Sequence, residues 1–157
     1  MRGGPLLSTV GIELAPLRGV RSQLERAVGA DGTLSDSASP TLGGLRAHLR
    51  SALERLRSRL EGLAHAKAYS PYLQDAIVTL RNGRYVLPVR AEAKSKVAGI
   101  VHDTSATGQT IWIEPLEVVE LGNALREAEA AVGAEEARIL SALSGVVARE
   151  EIGRAHV

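Results

Sequence analysis

Apolar residues recur every three or four positions in three long stretches of the chain, which is the period of a helix that packs along one side. The first stretch covers residues 12–28. The second begins at Ser39-Pro40, where Ser39 is predicted to cap a helix and Pro40 to occupy its first turn. The third begins at Glu114-Pro115 and continues to about Val146. The second stretch carries a leucine stripe of coiled-coil spacing, which predicts core packing: Leu45, Leu49, Leu53, Leu56, Leu60 and Leu63.

Residues 75–115, between the second and third helical stretches, instead form a block of predicted strands. The runs 75–81 and 84–90 are rich in β-forming residues and are joined by Asn82-Gly83, the strongest short signal for a hairpin. A two-residue turn fixes the register and predicts these facing pairs: Arg81 with Arg84, Leu80 with Tyr85, Thr79 with Val86, and Val78 with Leu87. Two further strands are predicted at 99–104 and 109–113, around the small-residue turn Ser105–Gly108.

These patterns predict an α+β fold in which long antiparallel, coiled-coil-like helices carry a small antiparallel β domain at their tip. We divide the chain into helices at 1–74, a β-rich part at 75–115 and a returning helix at 116–157. The first part contains a turn-rich linker at 30–39, where a small hairpin around Asp31-Gly32 is one option.

Composition narrows the class of protein. The chain of 157 residues is 45% hydrophobic, enough for one modest globular domain, and has no cysteine, which excludes disulfides, thiolate catalysis and cysteine metal ligands. No apolar run approaches the roughly 20 residues of a membrane span, and the first five residues do not resemble a signal peptide. We therefore expect a soluble, cytoplasmic chain without a membrane partner, taken from a longer protein.

The net charge of +1 hides a strong asymmetry. Residues 1–90 carry 13 Lys/Arg against 7 Asp/Glu, giving +6, whereas residues 91–157 carry 6 against 11, giving −5. Within 46–96 the count is 11 against 4, or +7. One explanation is a basic helix lying against an acidic one; the other is a basic surface that binds phosphates. Both can hold together.

The facing pair Arg81 and Arg84 identifies a candidate site. Like charges directly opposite each other destabilise a hairpin by a few tenths of a kcal/mol up to about 1, and an anion would relieve that cost. We predict that basic residues around the β block contact nucleic-acid phosphates: Arg81, Arg84, Arg90, Lys94 and Lys96. Secondary candidates are Ser105, Thr107, Arg57 and Arg59. Ordinary turn chemistry explains the hydroxyls equally well, and core packing explains Trp112 better than base stacking does.

Catalytic and metal-binding patterns are thin. His102-Asp103 invites a hydrolase interpretation, but adjacent strand residues point to opposite faces and cannot form a dyad. No metal-ligand spacing, phosphate-binding loop or dinucleotide fingerprint is present. The glutamates of 114–136 alternate with apolar residues, which is typical of a solvated helix face. We predict no catalytic residue, cofactor site or metal site in this chain.

The β block carries a specific family resemblance. Its segments Arg81-Asn-Gly-Arg-Tyr-Val-Leu-Pro-Val, Gly99-Ile-Val-His-Asp and Ile113-Glu-Pro, followed by Asn123, closely resemble the second bacterial MutS paralogue (MutS-two). The resemblance covers roughly residues 20–150. Trp112 departs from the usual Phe-like residue, and Gly122 and Gly133 put the rigidity of the last helix in doubt.

The resemblance implies lever helices with a clamp at their tip, from the middle of a homodimeric ATPase and endonuclease. The parent protein would bind ATP and Mg²⁺ and usually ends in an Smr-type nuclease domain; neither part lies in this chain. Members of the family are associated with suppressing homologous recombination on branched DNA, and also with splitting collided ribosomes. Ribosomal RNA is therefore a second possible partner beside branched or duplex DNA, at the nucleoid or the ribosome.

Two hypotheses from different classes follow. In the first, the chain is a nucleic-acid-binding clamp that contacts phosphates without reading sequence. In the second, it is a structural or dimerising spacer between domains, with no nucleic-acid affinity of its own.

Overall fold

The computed structural model describes residues 27–29 and 32–155 of the chain, without the side chains of residues 147, 148 and 150–155. The helix predicted over 12–28 lies outside the described residues except at its last two positions. Helix α1 spans Leu42–Ala64 and helix α2 spans Val119–Ala155. Between them lie strands β1 (Thr79–Arg81), β2 (Arg84–Arg90), β3 (Gly99–Thr104) and β4 (Thr110–Pro115). The predicted α+β class is confirmed.

The four strands form one antiparallel sheet in the order β1-β2-β4-β3. The predicted hairpin register is confirmed for three pairs, Arg81 with Arg84, Leu80 with Tyr85 and Thr79 with Val86. Asn82 and Gly83 have φ angles of 51° and 78°, which a two-residue hairpin turn of the primed type requires. The predicted pairing of Val78 with Leu87 is absent from this register, because β1 begins at Thr79.

The start of the last helix was predicted too early. Glu114 and Pro115 belong to strand β4, a short 3₁₀ turn at Leu116–Val118 follows, and α2 begins at Val119. The dipeptide Glu-Pro is a common helix start, but here Pro115 is extended, with ψ 142°. Because strand β4 includes position 114, Glu114 is part of a sheet and not of a solvated helix face.

Residues 48–129 form one compact unit, and the described residues before position 48 and after position 129 form another. In the unit 48–129, the leucine stripe of α1 packs on the sheet as well as on α2. Its core holds Leu56 and Leu60 of α1, Leu87 and Val89 of β2, Ile111 and Ile113 of β4, and Leu125 of α2. Full burial of one such side chain contributes about 1.5–3 kcal/mol. The predicted core role is confirmed for Leu49, Leu53, Leu56, Leu60 and Leu63, whereas Leu45 is only partly buried and lies outside this core. The pairing of the stripe with the last helix as an antiparallel lever stays a prediction.

In the other unit, Arg46 joins the linker to α2. Its guanidinium donates to the Leu34 carbonyl oxygen at 2.6 Å, to Asp36 at 2.9 Å and to Glu136 at 2.8 Å. The linker bends back on itself, since Val28 and Leu34 form an antiparallel bridge and Gly32 has a positive φ of 86°. Ser39 Oγ accepts the Leu42 amide at 3.1 Å, which confirms its predicted role as the cap of α1.

Candidate nucleic-acid interface

Glu114 is the centre of a buried ionic network at the junction of the sheet and α2. Its side chain is only 2% exposed, and it accepts hydrogen bonds from the Arg84 guanidinium at 2.5 Å and from His102 Nε2 at 2.8 Å. Arg84 also donates to the Val119 carbonyl oxygen in the first turn of α2, at 3.3 Å. Residues of β2 and β3 therefore converge on one carboxylate of β4, and Arg84 links that carboxylate to the first turn of α2.

Gly122 makes room for this network. A β-carbon at position 122 would lie 2.8 Å from both Arg84 Nη2 and Glu114 Oε2. Contacts this short do not occur in folded proteins without a shift of the neighbouring atoms. The glycine thus allows α2 to approach the ion pair closely, which is a packing reason for a residue that otherwise weakens a helix.

Carboxylates of the chain itself compensate the facing charges of Arg81 and Arg84. Each arginine has its own carboxylate, Glu114 for Arg84 and Asp103 for Arg81. The side chain of Arg84 is 15% exposed, and its charge is paired with that of Glu114. The charge of Arg84 is thus compensated within the chain, and we do not propose Arg84 as a contact to nucleic acid.

Arg81 is arranged quite differently. Its guanidinium lies over the Trp112 ring, 4.0 Å from the ring centroid, and 3.7 Å from Asp103 Oδ2. The second distance is an ion pair but exceeds that of a hydrogen bond. The side chains of Arg81 and Asp103 are both 40% exposed.

Arg90, Lys94 and Lys96 lie together at the opposite end of β2. Arg90 closes the strand, and the two lysines follow in the 3₁₀ turn Ala91–Lys96. All three are exposed, and the only hydrogen bond of their side chains within the described part of the chain is that of Arg90 to the Pro71 carbonyl oxygen, at 3.3 Å. Among the described residues, none of them has a carboxylate within 4.0 Å. We call these three residues the basic end of the sheet.

The turn Ser105–Gly108 lies beside the basic end, because Ala91 N donates to the Gln109 carbonyl oxygen at 3.0 Å. Its hydroxyls are engaged locally. Ser105 Oγ accepts the Thr110 amide at 3.0 Å and lies 3.4 Å from Thr107 Oγ1. These contacts are ordinary turn chemistry, although Thr107 is exposed and its hydroxyl keeps further bonding capacity.

The secondary candidates on α1 also divide. Arg59 pairs with Glu117 at 2.7 Å, and the same carboxylate accepts the hydroxyl of Tyr69. Arg57 is exposed and has no ion pair or hydrogen bond among the described residues. Only Arg57 of this pair keeps an uncommitted charge.

One basic residue beside the hairpin, Arg126, was not among the residues predicted from the sequence. Arg126 of α2 is exposed and donates from Nη1 to the Gly83 carbonyl oxygen at 3.0 Å. On the other side of the same turn, Asn82 Nδ2 donates to the His102 carbonyl oxygen at 2.6 Å. The hairpin turn is therefore fastened both to α2 and to β3. Local sequence carries no signal for Arg126, because its position follows from how α2 packs on the sheet.

His102 and Asp103 break the alternation that was assumed for them. The ladder between β3 and β4 has a register shift between Val101 and Asp103, and the two side chains reach partners on different strands, β4 for His102 and β1 for Asp103. The partner of His102 is Glu114 and that of Asp103 is Arg81, so the two do not form a dyad.

Within residues 27–29 and 32–155, no group of three His, Asp or Glu residues could hold a metal ion. No helix in the described part of the chain is long and apolar enough to span a membrane.

Tyr69 provides a pH-dependent test of this packing. The pKa of Tyr69 is raised from 10.0 to about 12. Burial of the ring is the largest cause, and the hydrogen bond to Glu117 is the second. Since the folded-state pKa is raised, the contribution of this contact to stability is complete below pH 10 and is lost as the pH rises through about 12. A spectrophotometric titration should show one tyrosine ionising near pH 12, and Tyr69→Phe should remove that step. A Tyr69→Phe titration curve that keeps the late step would contradict the assignment.

The comparisons with known proteins agree on one kind of relative. Over 140 residues, 89% of this chain, the sequence is 45% identical to Endonuclease MutS2 of Halalkalibacterium halodurans. It is 46% identical over 142 residues to Endonuclease MutS2 of Lacticaseibacillus casei and 44% identical over 144 residues to that of Thermomicrobium roseum. The chain spans 18% of the length of each of these curated relatives. No protein-family model matches the chain.

Proposed function

We propose, on the premise that this chain belongs to the MutS2 family and corresponds to a segment of its members, that it binds the phosphate backbone of duplex or branched DNA without reading sequence. The relatives are named for an endonuclease activity. In our proposal this segment supplies contacts to the nucleic acid, as a clamp carried on lever helices, and performs no catalysis itself. ATP with Mg²⁺, the nuclease activity and homodimerisation belong to the whole protein, located at the bacterial nucleoid.

The basic end of the sheet is the observation that carries this proposal. Its three residues, Arg90, Lys94 and Lys96, are exposed and lie at the end of β2 and in the turn that follows it. None of them has a carboxylate within 4.0 Å among the described residues. Glu92, in the same turn, is exposed and leaves the group with a net charge of +2. Cations without a carboxylate partner suit phosphate contacts, because no ion pair has to be broken on binding.

Arg81 supplies a second contact at a distance that a duplex can span. It pairs with Arg84 at the start of β2, whereas Arg90 ends that strand. Six residue steps along a strand cover about 20 Å. The basic end and Arg81 are therefore two separate contact points, and a ligand must be extended to reach both. A long polyanion meets this condition, and a small phosphate ester does not.

Charge reversal at Lys94 and Lys96 tests the proposal. We expect Lys94→Glu with Lys96→Glu to lower the affinity for a DNA duplex about tenfold or more at low salt, because two phosphate contacts become repulsive. The slope of log K against log salt should fall by about 2 in magnitude, at roughly 0.9 per contact. Fluorescence anisotropy of a labelled duplex at several salt concentrations measures both quantities.

The matched control changes the net charge equally on α1. Arg50→Glu with Arg55→Glu replaces two exposed arginines that were not predicted to contact nucleic acid and that lack ion pairs among the described residues. We expect a smaller loss of affinity and a nearly unchanged salt slope. Equal losses for the two double variants would mean that total charge, and not the basic end, determines binding. A structured RNA tested in parallel decides whether DNA or RNA is preferred.

A further inference from the structure

Arg81 is held in place, yet its donors are unused. A guanidinium offers five N–H donors in a planar fork. No side-chain hydrogen bond from Arg81 occurs among the described residues, and its Nε is buried without a partner. Its contacts are the Trp112 ring at 4.0 Å and the loose ion pair with Asp103 at 3.7 Å. Because the side chain is 40% exposed and makes no hydrogen bond among the described residues, its terminal N–H groups are available to an oxyanion acceptor.

Trp112 lies against the guanidinium of Arg81. Its neighbours on β4, Ile111 and Ile113, are buried in the core. Across the sheet it lies between Pro88 of β2 and Asp103 of β3. The backbone of Trp112 is therefore paired on both sides, and stacking of a guanidinium on its indole ring contributes attraction without occupying the N–H groups.

Asp103 stands where an anionic ligand would bind. Its Oδ1 accepts the amide of Thr104 at 2.8 Å, which orients the carboxylate, and its Oδ2 faces Arg81. The half-exposed carboxylate neutralises Arg81 in the free protein without forming a hydrogen bond to it. Replacing such a weak partner with a phosphate, which accepts a bidentate pair of hydrogen bonds, is favourable.

We infer that Arg81, Trp112 and Asp103 form a phosphate-binding site in which Asp103 is an internal competitor that the phosphate of the DNA backbone displaces. This inference rests on the proposed function and extends it, since it assigns a platform to Trp112 and an opposing role to Asp103. Asp103 lowers affinity at Arg81, and so prevents weak anions from occupying the site. Trp112 acts as a positioning residue and does not stack on bases.

The inference predicts that one substitution raises the affinity for DNA, which makes it testable. Asp103→Asn keeps an oxygen for the Thr104 amide and removes the charge, so we expect affinity for a DNA duplex to rise about two- to fivefold, the range of an exposed ion pair. The control is Asp75→Asn, because Asp75 is exposed, accepts the amide of Ala76 at 2.8 Å in the same way and has no ion pair among the described residues. Asp75→Asn should leave affinity almost unchanged, although the net charge changes equally.

The single tryptophan of the chain reports on the site directly. Adding DNA to the intact chain should change Trp112 fluorescence, and Arg81→Gln should abolish the change while leaving the fold intact. Trp112→Leu should lower affinity, and circular dichroism establishes whether that variant is folded. If the labelled duplex binds by anisotropy while Trp112 fluorescence stays constant and Asp103→Asn binds no better than Asp75→Asn, the inference is wrong and the proposed function stands. If no duplex binds to the unchanged chain, the proposed function itself is wrong.

Discussion

Replacing Glu114 by alanine is expected to destabilise the chain by about 3 kcal/mol, near the lower end for a broken buried ion pair, because it leaves the partly buried Arg84 without its counterion. Glu114 is 1% exposed and binds both Arg84 and His102. Arg84 cannot turn to solvent easily, since it also donates to the Val119 carbonyl oxygen beside Gly122. A loss of this size is a large fraction of the stability of many small domains.

Urea denaturation of Glu114→Ala and Glu127→Ala measures this effect against a matched control. Glu127 is the same residue type in α2, but it is exposed and has no ion pair or side-chain hydrogen bond among the described residues. We expect its replacement to cost within about 1 kcal/mol. Removing both partners, as in Arg84→Met with Glu114→Leu, should restore part of the stability, since no buried charge is left unpaired. Equal denaturation midpoints for the two alanine variants would contradict the buried network.

Gly99→Ala is expected to have the second largest effect on stability. A β-carbon at position 99 would overlap the Glu114 carbonyl oxygen and lie 2.6 Å from Ile113 Cγ2. Gly99 pairs with Pro115 at the start of β3, so the methyl group can fit only if β3 and β4 separate locally. Overpacking of this kind typically costs about 1–3 kcal/mol, and more where the backbone must move.

Gly62→Ala is the matched control for this change. Gly62 lies in α1 with nothing within 4 Å of the added β-carbon. Alanine in an exposed helix position is about 0.5–1 kcal/mol more favourable than glycine. The two glycine-to-alanine changes should therefore shift the midpoint of thermal unfolding in opposite directions. A Gly99→Ala variant as stable as the unchanged chain would mean that the β3–β4 contact is looser than the structure has it.

Local sequence was sufficient where local chemistry determines structure. The turn Asn82-Gly83 predicted the register of β1 and β2 because its positive φ angles permit only one hairpin geometry. The leucine spacing of α1 predicted which side of that helix is buried. It did not predict the partner of the stripe, because an apolar side packs as well on a sheet as on another helix.

Local sequence did not predict which residues pair when they are distant along the chain. Arg81 and Arg84 are equivalent in the sequence pattern, yet one is bound to a buried glutamate and the other is stacked on a ring. The sequence distance from Arg84 to Glu114 is 30 residues, and the choice of that partner depends on strand order. Lys94 and Lys96 were named as candidates from their charge alone; the structure shows them exposed in a turn, and their contact with nucleic acid stays a prediction. Arg126 was missed because its contact with Gly83 is set by tertiary packing.

A titration of the intact chain with duplex DNA at two salt concentrations tests the central claim most directly. Four-way junction DNA and structured RNA are titrated in parallel, together with the variant Lys94→Glu with Lys96→Glu. We predict binding to duplex and junction that weakens steeply with salt, and that weakens less steeply in the charge-reversed variant. A chain that retards neither DNA nor RNA at low salt, and forms a dimer insensitive to salt, would contradict the claim and identify the segment as a spacer.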